Sequence, residues 1–128
     1  MEQKTMSLLA TDVKVFVPAK NFQDSLQFYT ALGWKLNFRA ENDDIAELEL
    51  ADCRFYLQNY YNKAWANNFM LHITVQDAQS WHDHAATVIE QGKWKHARLQ
   101  APQEQPYGAL VTHVWDPSGV LLHFAQFR

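Results

Sequence analysis

One cysteine, Cys53, stands in 128 residues, so no intramolecular disulfide can form and no zinc site can be built on thiolates. That favours a reducing compartment, and a cytoplasmic location is expected. Glycine and proline are scarce, 4 of each, which excludes collagen-like and low-complexity chains. No run approaches the ~20 apolar residues that span a bilayer, and the apolar run near the N-terminus is too short for a secretory leader, so no membrane partner is expected. Positive charge is not in excess: Lys and Arg total 11 against 14 Asp and Glu, a net charge of −3, which removes the basic face that nucleic-acid binding needs. A Gly-rich phosphate loop and a G-x-S-x-G elbow are both missing, and Cys53 has no basic cluster beside it to activate its thiol.

What remains is a globular composition, 48% hydrophobic, in a length that buries roughly two thirds of its unfolded surface without staples. Aromatic residues make up 14%, including five Trp, and several lie where a simple core has no use for them. Residues 13–17 are apolar and β-branched and end at Pro18, which predicts a buried strand. Asn21 is placed to cap a helix over residues 22–32, whose apolar positions recur at spacings of three and four before Gly33 stops it. Residues 34–38, 45–50 and 54–58 alternate with period two and predict three antiparallel strands. After a polar connection at 60–68 the order starts again. Residues 69–75 read as a strand, and Asp77 caps a helix over 78–91 with Trp81, Ala85, Val88 and Ile89 inward. Strands follow at 97–99, 109–115 and 120–125, the last two joined by the turn Asp116-Pro117-Ser118-Gly119. The expected fold is therefore α+β. It is a single domain over 1–128 built of two tandem βαβββ modules, about 11–60 and 69–127, whose curved mixed sheets surround a cup of the kind that takes small molecules.

Three phrases carry a resemblance: Asn21-Phe22-Gln23-Asp24-Ser25-Leu26-Gln27-Phe28-Tyr29 with Leu32-Gly33-Trp34, then Gln76-Asp77-Ala78, then Asp116-Pro117-Ser118-Gly119-Val120-Leu121-Leu122. In this order and spacing, over residues 13–127, the chain resembles the vicinal oxygen chelate superfamily of glyoxalases, dioxygenases and bleomycin-resistance proteins. Phe55-Tyr56-Leu57-Gln58-Asn59, Met70-Leu71-His72 and Gln105-Pro106-Tyr107-Gly108 look most like its bleomycin-resistance and glyoxalase-like branch. The resemblance implies a homodimer in which each cup is built from modules of two chains, in some relatives with swapped arms. It also implies metal ligands on the first, fourth, fifth and eighth strands, positions that fall here on Lys14, Gln58, Met70 and His123. Only His123 is a good ligand, because an ammonium repels the ion, an amide oxygen binds weakly and a thioether suits soft copper.

The expected function is metal-independent and cofactor-free sequestration of a small, antibiotic-type molecule in a cup lined by Lys14, Phe16, Tyr56, Gln58, Met70, His72, Trp115 and His123. The alternative is a glyoxalase-like lyase or isomerase in which His72, two residues beyond Met70 on the same strand face, joins His123 around a metal. A third reading is a dimer whose cup is filled by its own side chains. Lys14 is expected either to pair with Glu47 or Glu49 or to meet an anionic ligand. His113, sharing a strand face with Trp115, is read as pocket wall. His82 and His84 lack the i, i+4 spacing of a helical metal pair.

Overall fold

A computed structural model describes residues 8–92 and 94–128; the start of the N-terminal stretch read above for a leader, through residue 7, lies outside them. The chain runs β1 (Phe16–Pro18), α1 (Phe22–Leu32), β2 (Lys35–Arg39), β3 (Ile45–Leu50), β4 (Cys53–Gln58), α2 (Lys63–Asn67), β5 (Met70–Thr74), α3 (Ala78–Gly92), β6 (Arg98–Gln105), β7 (Ala109–Trp115) and β8 (Leu121–Phe127). No helix among the described residues is long and apolar enough to cross a membrane.

The two sheets repeat one plan. The first is ordered β1-β4-β3-β2 and the second β5-β8-β7-β6; β1∥β4 and β5∥β8 are the parallel pairs and the other pairings are antiparallel. No strand of one sheet pairs with the other, so the sheets do not close on each other. This is the α+β arrangement of two βαβββ modules expected from the sequence.

Local chemistry sets the ends of the elements. Asn21 Oδ1 accepts from Asp24 N at 3.0 Å, and Gly33, at φ 125°, turns its N–H back onto Tyr29 O and Thr30 O. Asp77 Oδ1 accepts from Gln79 N and Ser80 N to start α3, and Gln126 Oε1 on β8 accepts from Ala78 N, tying that helix to the sheet below. The polar connection contains a short helix, α2, capped by Asn62 Oδ1.

Two strands differ from expectation. The first is three residues long rather than five, and only Val17 and Pro18 are buried in it; Val13, Val15 and Phe16 are exposed, because a single neighbour, β4, lies beside this edge. The sixth strand runs to Gln105, well past residue 99, with the register to β7 shifting between Gln100 and Gln103 so that Pro102 falls at the irregularity.

The core lies on one face of each sheet. Val17, Phe28, Tyr29, Leu48 and Leu57 from the first module join Ala85, Val114, Leu122 and Phe124 from the second in one continuous apolar cluster around α1 and α3. Trp81 stacks on Phe124 at 4.5 Å, and Tyr29, Trp34 and Phe55 meet edge to face. Each fully buried Leu or Phe contributes about 1.5–3 kcal/mol, so neither module could withdraw from the other cheaply. With the helices on one side, the opposite face of each sheet is left open.

Candidate functional site

Period-two alternation sends successive residues of a strand to opposite faces, while register partners on neighbouring strands share one. On the second sheet the open face carries Met70 and His72 from β5, His123 and Phe127 from β8, and His113 and Trp115 from β7. Register places His72 opposite His123 and His123 opposite His113. Three imidazoles on three adjacent strands thus form a row, with ring centres 5.9 Å apart for His72–His123 and 4.8 Å for His113–His123. Tyr107 and Phe127 flank His72 at 6.2 and 5.9 Å. Trp115 lies 6.3 Å from His113, and the Arg98 guanidinium sits over its ring at 4.5 Å.

Two rings of the row, His113 and His123, are held toward the neutral form. Nδ1 of His113 and of His123 is buried with no hydrogen-bond partner. Protonating either ring would therefore add a buried N–H with nothing to accept it. Burial holds both pKa values below the ordinary histidine range, and for His123 the neighbouring His113 and His72 lower it further. His123 Nε2 lies 3.3 Å from Met70 Sδ; a thioether only accepts, so this contact is made by the Nε2–H tautomer.

The first sheet's open face is different in kind. Phe16 and Tyr56 are register partners with rings 5.5 Å apart, and Gln58 follows on the same face of β4. Lys14, in the extended segment before β1, places its ammonium 5.5 Å from the Tyr56 ring centre. Of the two readings of Lys14 from sequence, pairing is the one found: it bonds Asp12 and lies 3.9 Å from Glu47. The Asp12 hydrogen bond raises the Lys14 pKa and lowers that of Asp12. Glu47 and Glu49 both face this side, bridged by Asn37 Nδ2 at 3.1 and 2.8 Å, with Arg54 3.9 Å from Glu49. Tyr56 and its neighbours therefore sit in a self-neutralising polar frame.

The eight expected site residues thus fall into two half-sites. Lys14, Phe16, Tyr56 and Gln58 belong to the first sheet; Met70, His72, Trp115 and His123 belong to the second. Of these, His72 alone reaches a cavity between the sheets, about 390 Å³ and mainly apolar, lined by Val15, Trp34, Phe55, Leu71 and Ile73 among others. The four positions that the resemblance assigns to a metal are divided in the same way, Lys14 and Gln58 with the first sheet and Met70 and His123 with the second, so they form no single centre within one chain. Lys14 is engaged by Asp12, and among the described residues no group of three His, Cys, Asp or Glu is disposed to hold an ion.

His113 is the member of the row that sequence reasoning left as wall. With the β7–β8 connection spanning residues 116–120, residues 113 and 123 lie three positions from either end of it and face each other. His82 Nδ1 contacts Asp83 and His84 Nε2 contacts Leu32 O, so the two helical histidines point apart.

No family model matches this sequence, and no curated protein matches it. Solved structures do. The bleomycin-binding protein of bleomycin-producing Streptomyces verticillus, solved with copper(II)-bleomycin, superposes with a TM-score of 0.75 over 94% of this chain and 100% of its own, at 21% identity. A bleomycin resistance determinant encoded on transposon Tn5 gives 0.74 over 92% and 99%, at 23% identity. A further bleomycin-binding protein, complexed with bleomycin, gives 0.74 over 93% and 100%, at 21% identity. The chain therefore has the fold of the bleomycin-binding and glyoxalase/bleomycin resistance/dioxygenase proteins over nearly its whole length.

Proposed function

We propose that this protein binds and sequesters a small, partly planar molecule of antibiotic type, without a metal, in a cup formed when the two kinds of open face meet in a homodimer. The observation that carries the reading is the pair of half-sites. One presents Tyr56, Phe16, Lys14 and Gln58 in a polar frame, the other Met70, Trp115 and the His72–His113–His123 row. Large apolar groups on these faces are uncovered: Met70 is 59% exposed, Tyr107 53%, Phe127 51% and Phe16 45%. Apolar surface of this kind marks a binding or association face rather than a solvated one. Two-fold symmetry lets the first sheet of one chain meet the second sheet of its partner and creates two equivalent cups. Leu8, Leu9 and Val13, all exposed, supply an apolar arm for the same contact. The fold shared with bleomycin-binding proteins supports the ligand class, and the exposed free thiol of Cys53 fits a cytoplasmic setting.

The test is light scattering for mass, followed by tryptophan-fluorescence titration with bleomycin and other planar glycopeptides. A dimer that binds one ligand per chain supports the proposal, and a monomer that binds none rejects it. The glyoxalase-like alternative rests on the His72–His123 register pair. Its test is titration with Mn, Ni and Zn: stoichiometric uptake lost in His123→Ala would replace sequestration with that reading.

A further inference from the structure

The seam between the modules carries a second recess, away from the apolar cavity between the sheets. Four segments meet there: the β1–α1 loop with Lys20, the connection bearing Tyr61 and Asn67, the α3–β6 loop with Lys95 and His96 leading to Arg98, and the turn at Pro117, Ser118 and Gly119. The recess encloses about 290 Å³ and adjoins a larger one of about 520 Å³, with Lys20, Lys95, His96 and Pro117 common to both.

Its charge is one-sided. Among the described residues no carboxylate lines the smaller recess, and Asp24 is the single acid lining the larger. Lys20, Lys95 and Arg98 converge there in a chain whose net charge is −3, and among the described residues none of the three is in an ion pair. Two of them are positioned by aromatic faces instead: Lys20 Nζ lies 5.5 Å from the Tyr61 ring centre, and Arg98 sits over Trp115 at 4.5 Å. An aromatic face orients a cation without cancelling its charge. Three uncompensated cations, Lys20 on one segment and Lys95 and Arg98 on another, repel one another, and the arrangement is relieved by an anion that touches all three. Two ammonium groups and one planar guanidinium suit phosphate oxygens, the guanidinium through paired N–H donors. The volume exceeds that of one tetrahedral oxyanion.

We infer that this seam recess is a binding site for a compact polyanion of the diphosphate class. It adjoins the cup's second half-site through the Arg98–Trp115 contact, but Lys20 and Lys95 lie outside the cup, whose proposed function stands or falls by other measurements. The site uses side chains from both modules, so an occupant would also bridge them.

The test is calorimetric titration of the full chain with inorganic pyrophosphate at low ionic strength, repeated with ADP. Saturable one-to-one binding that weakens with added salt is expected, with at least an about tenfold loss in Lys95→Met and in Lys20→Met. Lys35→Ala is the control, since Lys35 opens β2 at the opposite end of α1. Circular dichroism checks that each variant folds; should Lys20→Met fail, Lys95→Met, on an exposed loop, still decides. ADP binding as tightly as pyrophosphate points to a nucleotide as the source of the diphosphate, whereas pyrophosphate alone points to the free anion. No saturable binding at millimolar pyrophosphate, or an equal loss in Lys35→Ala, overturns the inference.

Discussion

Tyr29 Oη donates to Asp116 Oδ2 at 2.7 Å, joining the first module's helix to the second module's β7–β8 turn through two groups that are both fully out of solvent. The bond belongs to a wider staple: Asp116 Oδ1 accepts from Ser118 N and Val120 N, while Ser118 Oγ meets Ser25 Oγ and accepts from Lys20 N. Burial pushes the Tyr29 phenol well above its ordinary range, so it is a permanent donor. Tyr29→Phe leaves a carboxylate oxygen buried and unmatched, and is expected to lower unfolding free energy by about 1–3 kcal/mol in urea titrations.

Burial raises the Asp116 pKa to about 6, with its hydrogen bonds opposing the shift. The native state then holds one more proton than the unfolded chain between about pH 4 and pH 6. This group's contribution to stability is therefore present at low pH and falls as pH rises through that window, by on the order of 3 kcal/mol. Asp116→Asn should remove the trend. The check is the difference between the two proteins' stability curves from pH 4 to 7, which should change by that amount across the window and would stay flat if Asp116 titrated at its ordinary value.

The histidine row has the opposite sign. Because His113 and His123 have lowered pKa values, the unfolded chain binds their protons first, and stability falls as pH drops below the ordinary value of 6.5. Imidazole proton resonances should show both rings titrating below that value. His113→Gln should raise the His123 titration point, because one of the groups depressing it is gone.

Tyr56→Ala should weaken binding of a verified cup ligand by about 1–3 kcal/mol, as losing a stacking face does. An unchanged affinity in the fluorescence titration would take Tyr56 out of the site.

Gly33 adopts φ 125° with open space where a side chain would stand, so Gly33→Ala isolates backbone strain. A loss of about 1–2 kcal/mol in thermal or urea unfolding is expected, with little change in the packing of Trp34.

The helices were legible because their signals are local. Asn21, the apolar spacing and Gly33 bound α1 to the residue. The sixth strand was legible only at its start, since Gln100, Pro102 and Gln103 break the alternation and β7 alone supplies the pairing that keeps them extended. A five-residue helix such as α2 is too short to show a period. At the site, the facing of Met70 with His72 followed from period two, but the division into half-sites did not. Residues 13–17 put Val13, Val15 and Val17 on one side and Phe16 beside Lys14 on the other, and alternation cannot say whether the same chain or another covers Phe16.

The sheet borders carry one more consequence. The outer strand β6 holds Pro102 and a register irregularity, β2 has its own irregularity between Leu36 and Phe38 with charged Lys35 and Arg39 at its ends, and β1 is three residues closing on Pro18. These features discourage a further strand from zipping on. Growth by ladder extension is thus discouraged on three of the four borders, leaving β5 as the border open to a further strand.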